Sequence, residues 1–318
     1  MMPLFSVVLP VYNRASLLGI ALRSVLAQTE QDFEIIVIDD GSNDNPLRVV
    51  EAINDPRIVF LRQENRGGGA ARNTGIDKAR GRFVAFLDSD DVYLPHHLAT
   101  MRRLLEKSPG AAGYARILVD RGKGRVILKP PRAIREGEDM ATYLMCDRGF
   151  VPTITLVVER SLAQTIRFHE NLAASEDTDF AIRAALAGHR FVMAEEAGAV
   201  WKDLEDPSRL SSVRRGATVL PWIEELQLRI PPKAYYGCLG WSYAKHVAVR
   251  DRFAALKLYL AALVRGCYRP SLAGIIFLQI VLSDRAYRRL ADTAITRLRA
   301  GLRQTKRASA SADAREAV

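Results

Sequence analysis

Cysteine is scarce in this chain. Its 318 residues include only Cys146, Cys238 and Cys267. Three scattered thiols give no disulfide framework, and they predict a reducing compartment. Long hydrophobic runs are also missing. The longest, Leu272 to Leu282, is well short of the roughly 20 apolar residues that cross a bilayer. The N-terminal MMPLFSVVLPVYNR lacks the basic start of a secretory signal and reads as a first strand, which predicts a cytoplasmic chain. Gly67-Gly68-Gly69 has neither the spacing of a dinucleotide loop nor a Walker lysine, so it reads as a flexible helix entry. No EF-hand glycine and distal glutamate accompany the acidic residues. His96 and His97 read as helix-surface residues and His189 as the cap of a strand.

Charge is plentiful but unevenly spread. The net charge is +10, and residues 245–307 alone carry 14 basic and 3 acidic side chains. This segment has no interleaved aromatic platforms, so no nucleic-acid partner is expected. Apolar residues beside arginines there suit peripheral attachment to an anionic membrane surface, on the cytoplasmic face; a solvated face of a helical subdomain fits nearly as well. Residues 308–318, rich in Ala and Ser, are expected to be a disordered tail.

Short apolar runs alternate with helical patterns through the first half. Phe5–Leu9, Glu34–Ile38, Arg57–Leu61 and Phe83–Leu87 read as strands, with helices after each. Further strands are expected near Ala112–Val119 and Thr155–Glu159, with a hairpin turn at Gly122-Lys123-Gly124. Ser175 reads as the N-cap of a helix that stops at Gly188, and the chain reads as helical from about residue 211. The fold class is therefore α/β: a doubly wound, mostly parallel sheet over residues 1–212, then a basic helical C-terminal region over 213–307. Ligands of such sheets gather outside the carboxyl ends of the strands. Three of those ends are polar: Pro10-Val11-Tyr12-Asn13, Asp39-Asp40-Gly41-Ser42 and Asp88-Ser89-Asp90-Asp91.

The last of these raises a question of energy. Three carboxylates within four residues repel one another, more so where water is excluded. A divalent cation would offset that repulsion. Mg²⁺ or Mn²⁺ takes one or two carboxylates and completes its shell with water and substrate phosphates.

Four motifs occur in order: SVVLPVYNR, DFEIIVIDDGSNDN, ENRGGGAARNTGIDKARGRFVAFLDSDDVYLP and SEDTDFAIRAALAGHRF. Together they resemble the nucleotide-sugar glycosyltransferases of family 2, which have the GT-A fold. The resemblance spans about residues 5 to 191. It implies transfer of a sugar from a UDP- or dTDP-sugar to a hydroxyl, with inversion and with Mn²⁺ or Mg²⁺ as cofactor. The acceptor would be a sugar or a lipid-linked sugar in surface-polysaccharide or glycolipid assembly. It further implies that Pro10, Tyr12 and Asn13 line the nucleotide pocket, and that Asp40 accepts a hydrogen bond from the base. Arg72 and Asn73 would approach the nucleotide, Asp88 and Ser89 would face the ribose side, and Asp90 with Asp88 would hold the metal. Asp177 would be the general base, with Glu176 on the acceptor side. The residues themselves leave Glu176 and Asp179 open for that role. The Q-x-x-R-W motif of processive members is missing, which points to single transfer. A histidine common downstream in relatives is replaced here by VWKDLEDPSRLSS, where Lys202 or Arg209 could meet the diphosphate. A metal-dependent sugar nucleotidyltransferase and a non-catalytic nucleotide-sugar binder are the alternative readings.

Overall fold

A computed structural model describes residues 2–122, 124–172, 175–203, 215–283, 285–291 and 293. Strand β1 (Phe5–Val11) leads into helix α1 (Ala15–Leu26), then β2 (Phe33–Asp39), α2 (Leu47–Ile53), β3 (Ile58–Arg62), α3 (Gly68–Lys78) and β4 (Phe83–Phe86). Next come β5 (Val92–Tyr93), α4 (His97–Glu106), β6 (Ala112–Asp120), β7 (Val126–Lys129), α5 (Met140–Cys146), β8 (Val157–Glu159), α6 (Arg160–Ile166), α7 (Glu176–Leu186) and β9 (Phe191–Lys202). Five helices follow: α8 (Arg215–Leu226), α9 (Pro232–Cys238), α10 (Ala244–Val247), α11 (Arg252–Val264) and α12 (Pro270–Val281). A single π segment, Leu239–Tyr243, joins α9 to α10.

The strands form one sheet in the order β3-β2-β1-β4-β8-β6-β9-β5, with β7 added on β6. Pairings β3–β2, β2–β1 and β1–β4 are parallel, β4–β8 and β8–β6 antiparallel, and β6–β9 parallel again. The parallel half explains the continuous apolar runs, since helices cover both of its faces. Successive side chains of β1 enter different layers. Phe5, Val7 and Leu9 pack with Leu18, Leu22 and Val25 of α1, whereas Val8 packs with Ala71 and Ile76 of α3. That second layer continues through Phe180 of α7 to Trp222 and Ile223 of α8 and Ile276 of α12. The helical C-terminal region thus shares its core with the sheet.

Several sequence expectations are sharpened. The turn at Gly122 and Gly124 does connect the antiparallel pair β6–β7. The short strand β5 was not anticipated; two residues carry too little pattern. His97 is fully buried, not on a helix surface, and neither ring nitrogen finds a partner. Burial lowers its pKa to about 3, with neighbouring His96 adding to the effect. It sits against Gly198, where an added Cβ would lie 2.3 Å from Nδ1. Ser175 precedes α7, but its hydroxyl makes no capping bond. The run from Leu272 is a core helix: Leu272, Ala273, Ile276 and Ile280 are buried. Among the described residues, no helix is long and apolar enough to cross a membrane. The expected tail, 308–318, lies outside the described residues. All three cysteines are free and buried, and burial pushes the Cys146 and Cys238 thiols up to about 12.

Helix α3 can approach β1 only because residue 75 is glycine. A Cβ there would stand 2.3 Å from Val8 Cγ1, in a site with no exposure at Val8. Gly75→Ala should lower stability by about 1–3 kcal/mol through overpacking, read as a lower urea midpoint for the full chain.

Candidate active site

The carboxyl ends of β1, β2 and β4 lie side by side, because these three strands are neighbours and parallel. Their loops are tied together. Asn13, with φ 51°, donates its main-chain N–H to Ser42 Oγ at 3.0 Å and accepts from the Asn43 N–H at 2.8 Å. Asp44 accepts the Ala15 N–H at 2.7 Å and so satisfies one free donor at the start of α1. Pro10 and Tyr12 are half-buried beside the exposed Asn13.

Asp40 is buried and accepts three hydrogen bonds: from Gln63 Nε2 (2.8 Å), Arg66 N–H (3.0 Å) and Gly67 N–H (2.8 Å). It therefore clamps the loop that enters α3. A carboxylate has about four lone-pair sites, so one remains for a ligand. Gly67, at φ 90°, gives the turn that starts α3.

The centre of the site is Arg72. This side chain is 8% exposed, yet it carries a full charge. Its Nη2 donates to Asp88 Oδ1 at 2.7 Å and its Nη1 to Glu176 Oε2 at 3.2 Å. The guanidinium carbon lies 5.3 Å from the centre of the Phe168 ring. Burial works against the charge, but Asp88 and Glu176 outweigh it and hold the guanidinium firmly protonated. Arg14, one residue past Asn13, likewise donates to Asp90 Oδ2 at 3.0 Å. The crowded acidic loop is thus offset by two arginines from other elements. Asp91 is buried and accepts the Lys202 N–H at 3.1 Å, which fastens the end of β9 to this loop. Ser89 is also buried.

Asn73, next to Arg72, lies behind the site. Its amide nitrogen donates to Phe168 O (2.9 Å) and Glu170 Oε1 (3.0 Å), and its oxygen accepts the Phe168 N–H (2.8 Å). With 2% exposure, it straps the 168–170 segment in place and so holds the ring beneath Arg72. Arg209 lies outside the described residues.

The first turn of α7 brings three acids to the same place, and their surroundings distinguish them. Glu176 is ion-paired with Arg72. Asp179 is 1% exposed and engaged at both oxygens: Arg183 Nε donates at 2.8 Å and Trp222 Nε1 at 2.9 Å. Among the described residues Asp177 has no ion-pair partner; its Oδ1 accepts the Thr178 N–H at 2.7 Å. Burial raises its pKa to about 6, and the charge of Glu176 adds to the rise. The Thr178 hydrogen bonds and Arg72 act the other way. A carboxyl group raised in this way has the character that proton transfer near neutral pH requires.

For a metal, the chemistry of the donors decides the fit. Asp88 and Asp90 supply oxygen only, and both side chains keep access to solvent. Among the described residues, no group of three or more His, Cys, Asp or Glu could form an all-protein cage. Carboxylate oxygens of this kind are the donors that Mg²⁺ or Mn²⁺ takes, with waters and substrate phosphates completing the shell.

The pairing of Arg14 with Asp90 and the parts played by Phe168 and Trp222 escaped the sequence reading. Arg14 had a local signal, since it directly follows the Tyr-Asn end of β1. Trp222 had none, being 43 residues from Asp179. Replacing Trp222 with Phe keeps the ring but leaves Asp179 Oδ1 without its donor. The expected loss is about 1–3 kcal/mol, measurable as a shift in the urea unfolding curve.

Comparison with known proteins agrees with this arrangement. The family profile described as Glycosyl transferase family 2 matches residues 6–161. The amylovoran biosynthesis glycosyltransferase AmsB of Erwinia amylovora is 29% identical over 246 residues, covering 73% of this chain and 80% of the relative. The succinoglycan biosynthesis protein ExoW of Rhizobium meliloti is 33% identical over 218 residues, or 61% of this chain and 67% of the relative. Among solved structures, TarS from S. aureus in complex with UDP-GlcNAc superposes with a TM-score of 0.65. It is 19% identical, and the match covers 89% of this chain and 87% of that one. At this identity the likeness is one of fold.

Proposed function

Since this chain belongs to glycosyl transferase family 2 and is an enzyme that transfers sugars, we propose that it moves single sugars from a UDP- or dTDP-sugar to an acceptor hydroxyl, with inversion, in cell-surface polysaccharide or glycolipid assembly. Family membership sets aside the alternatives of nucleotide transfer and of binding without catalysis. The names of AmsB and ExoW support the polysaccharide setting, and the TarS complex supports a nucleotide-sugar donor. The absence of Q-x-x-R-W supports single transfer.

The observation that carries the reaction is Asp177, a buried acid with no ion-pair partner among the described residues and with its pKa raised to about 6. An acceptor alcohol must lose its proton as it attacks the anomeric carbon. A positioned carboxylate on the side opposite the leaving group can take it, and that geometry inverts the centre. Glycosidases need a second carboxyl group to protonate a poor leaving group. A nucleoside diphosphate leaves without that help. Glu176 and Arg72 fix the turn from which Asp177 acts. The loops of Pro10, Tyr12, Asn13 and Asp40 form the nucleotide side of the rim, with Ser89 and Asp88 toward the ribose.

Asp88 and Asp90 would hold Mn²⁺ or Mg²⁺, which would neutralise charge gathering on the departing diphosphate. Arg72 stays beside Asp88 and adds fixed positive charge to the same region. A lipid-linked acceptor on the cytoplasmic face of a membrane fits the basic residues of 245–307.

Asp177→Asn should lower kcat by about 10²–10⁴-fold while donor affinity stays within a factor of about two; normal turnover would remove the base assignment. In the unaltered chain, kcat/KM should fall as pH drops below about 6, because a protonated Asp177 cannot accept a proton. The log–log plot should show a slope near one on the acid side. Asp90→Ala should weaken donor binding in Mn²⁺ and leave binding in excess chelator unchanged, as read by calorimetry. Equal loss under both conditions would remove the metal role.

A further inference from the structure

The sequence directed attention to Leu272–Leu282 as the apolar segment beside the arginines, but the structure places that segment in the core. The exposed apolar surface is on the preceding helix. Helix α11 buries Ala255, Tyr259 and Ala262 against the rest of the protein. On its opposite side Phe253 is 82% exposed, Leu260 52% and Val264 85%. The spacing i, i+7, i+11 puts these three within roughly 40° of one line along the helix, at about 100° per residue. Val249, just before the helix, is 84% exposed. Large apolar side chains grouped in this way mark an interaction surface.

The charge around the stripe indicates the partner. Arg250, Arg252, Lys257 and Arg265 are exposed along the same stretch. The one acid between residues 249 and 265, Asp251, caps α11 by accepting the Ala254 N–H at 2.9 Å. The helix has 13 residues, too few to cross a bilayer but suited to lying in its surface, where apolar side chains enter the acyl boundary and cations meet headgroups.

We propose that the outward face of α11 docks on an anionic lipid bilayer, with Phe253, Leu260 and Val264 entering the membrane and the flanking Arg and Lys side chains binding lipid phosphates. This rests on the reading of a lipid-linked acceptor only for its purpose. Docking would bring the enzyme to the surface where such an acceptor is held.

The test uses the full chain and sedimentation with vesicles. With phosphatidylcholine–phosphatidylglycerol vesicles at low salt, the protein should sediment with the lipid. It should remain in solution with phosphatidylcholine alone, and binding should weaken as salt rises. F253E/V264E should reduce binding roughly tenfold or more, with an unchanged urea midpoint because both sites are exposed. K257Q/R265Q should reduce both binding and its dependence on salt. Equal binding by F253E/V264E and the unaltered chain would overturn the proposal, as would failure of the unaltered chain to bind. So would self-association in solution that F253E/V264E abolishes, because the face would then belong to a second copy. Sugar transfer is not the readout, so failure here leaves the reaction assigned to Asp177 standing.

Discussion

The buried guanidinium of Arg72 is the contact on which the site depends. It comes from α3, reaches the loop after β4 through Asp88, and reaches the first turn of α7 through Glu176. Without it, two separate stretches of chain would bring carboxylates together with nothing between them. A buried charge of this kind is tolerated because it is multiply hydrogen-bonded, and the aromatic face of Phe168 borders it on another side. The same contact holds the turn that carries Asp177. Burial raises the pKa of Asp177, with the Glu176 charge adding to the rise and Arg72 opposing it.

Much of this was legible in the chain. The apolar runs of β1, β2 and β4 are continuous because both sheet faces are covered, and their polar endings pointed to one rim. The acids of that rim were visible too, along with the need for positive charge. The source of that charge was not visible. Charge balance at Asp88 and Asp90 comes from Arg72 and Arg14, which lie 16 and 76 residues away, and a pattern within one loop carries no record of such partners. The choice among Glu176, Asp177 and Asp179 was open for the same reason. Composition makes the three equivalent, and only Arg72, Arg183 and Trp222 distinguish them. Asn73 shows the opposite effect: it sits inside a conspicuous motif, yet its amide holds Phe168 and Glu170. His97 was misjudged because a small residue far along the chain, Gly198, makes room for its ring.

The C-terminal helices present two different faces. Their inner surfaces complete the layer that begins at Val8, so they belong to the same folded unit as the sheet. The outer surface of α11 remains apolar and is bordered by cations. Hydrophobic content along 253–290 could not separate these roles, since Ile276 and Phe253 look alike in a composition window but differ wholly in exposure.

The hydrogen bond from the Trp222 indole to Asp179 also bears on how this enzyme can be cut and recombined. The end of β9 is an inviting place to sever the chain, because every strand among the described residues has been laid down by then. A fragment ending there would lack the indole that satisfies an interior carboxylate two positions from Asp177. Chimeras that borrow the sheet and its covering helices must therefore bring α8 with them, even when the remaining helices are exchanged.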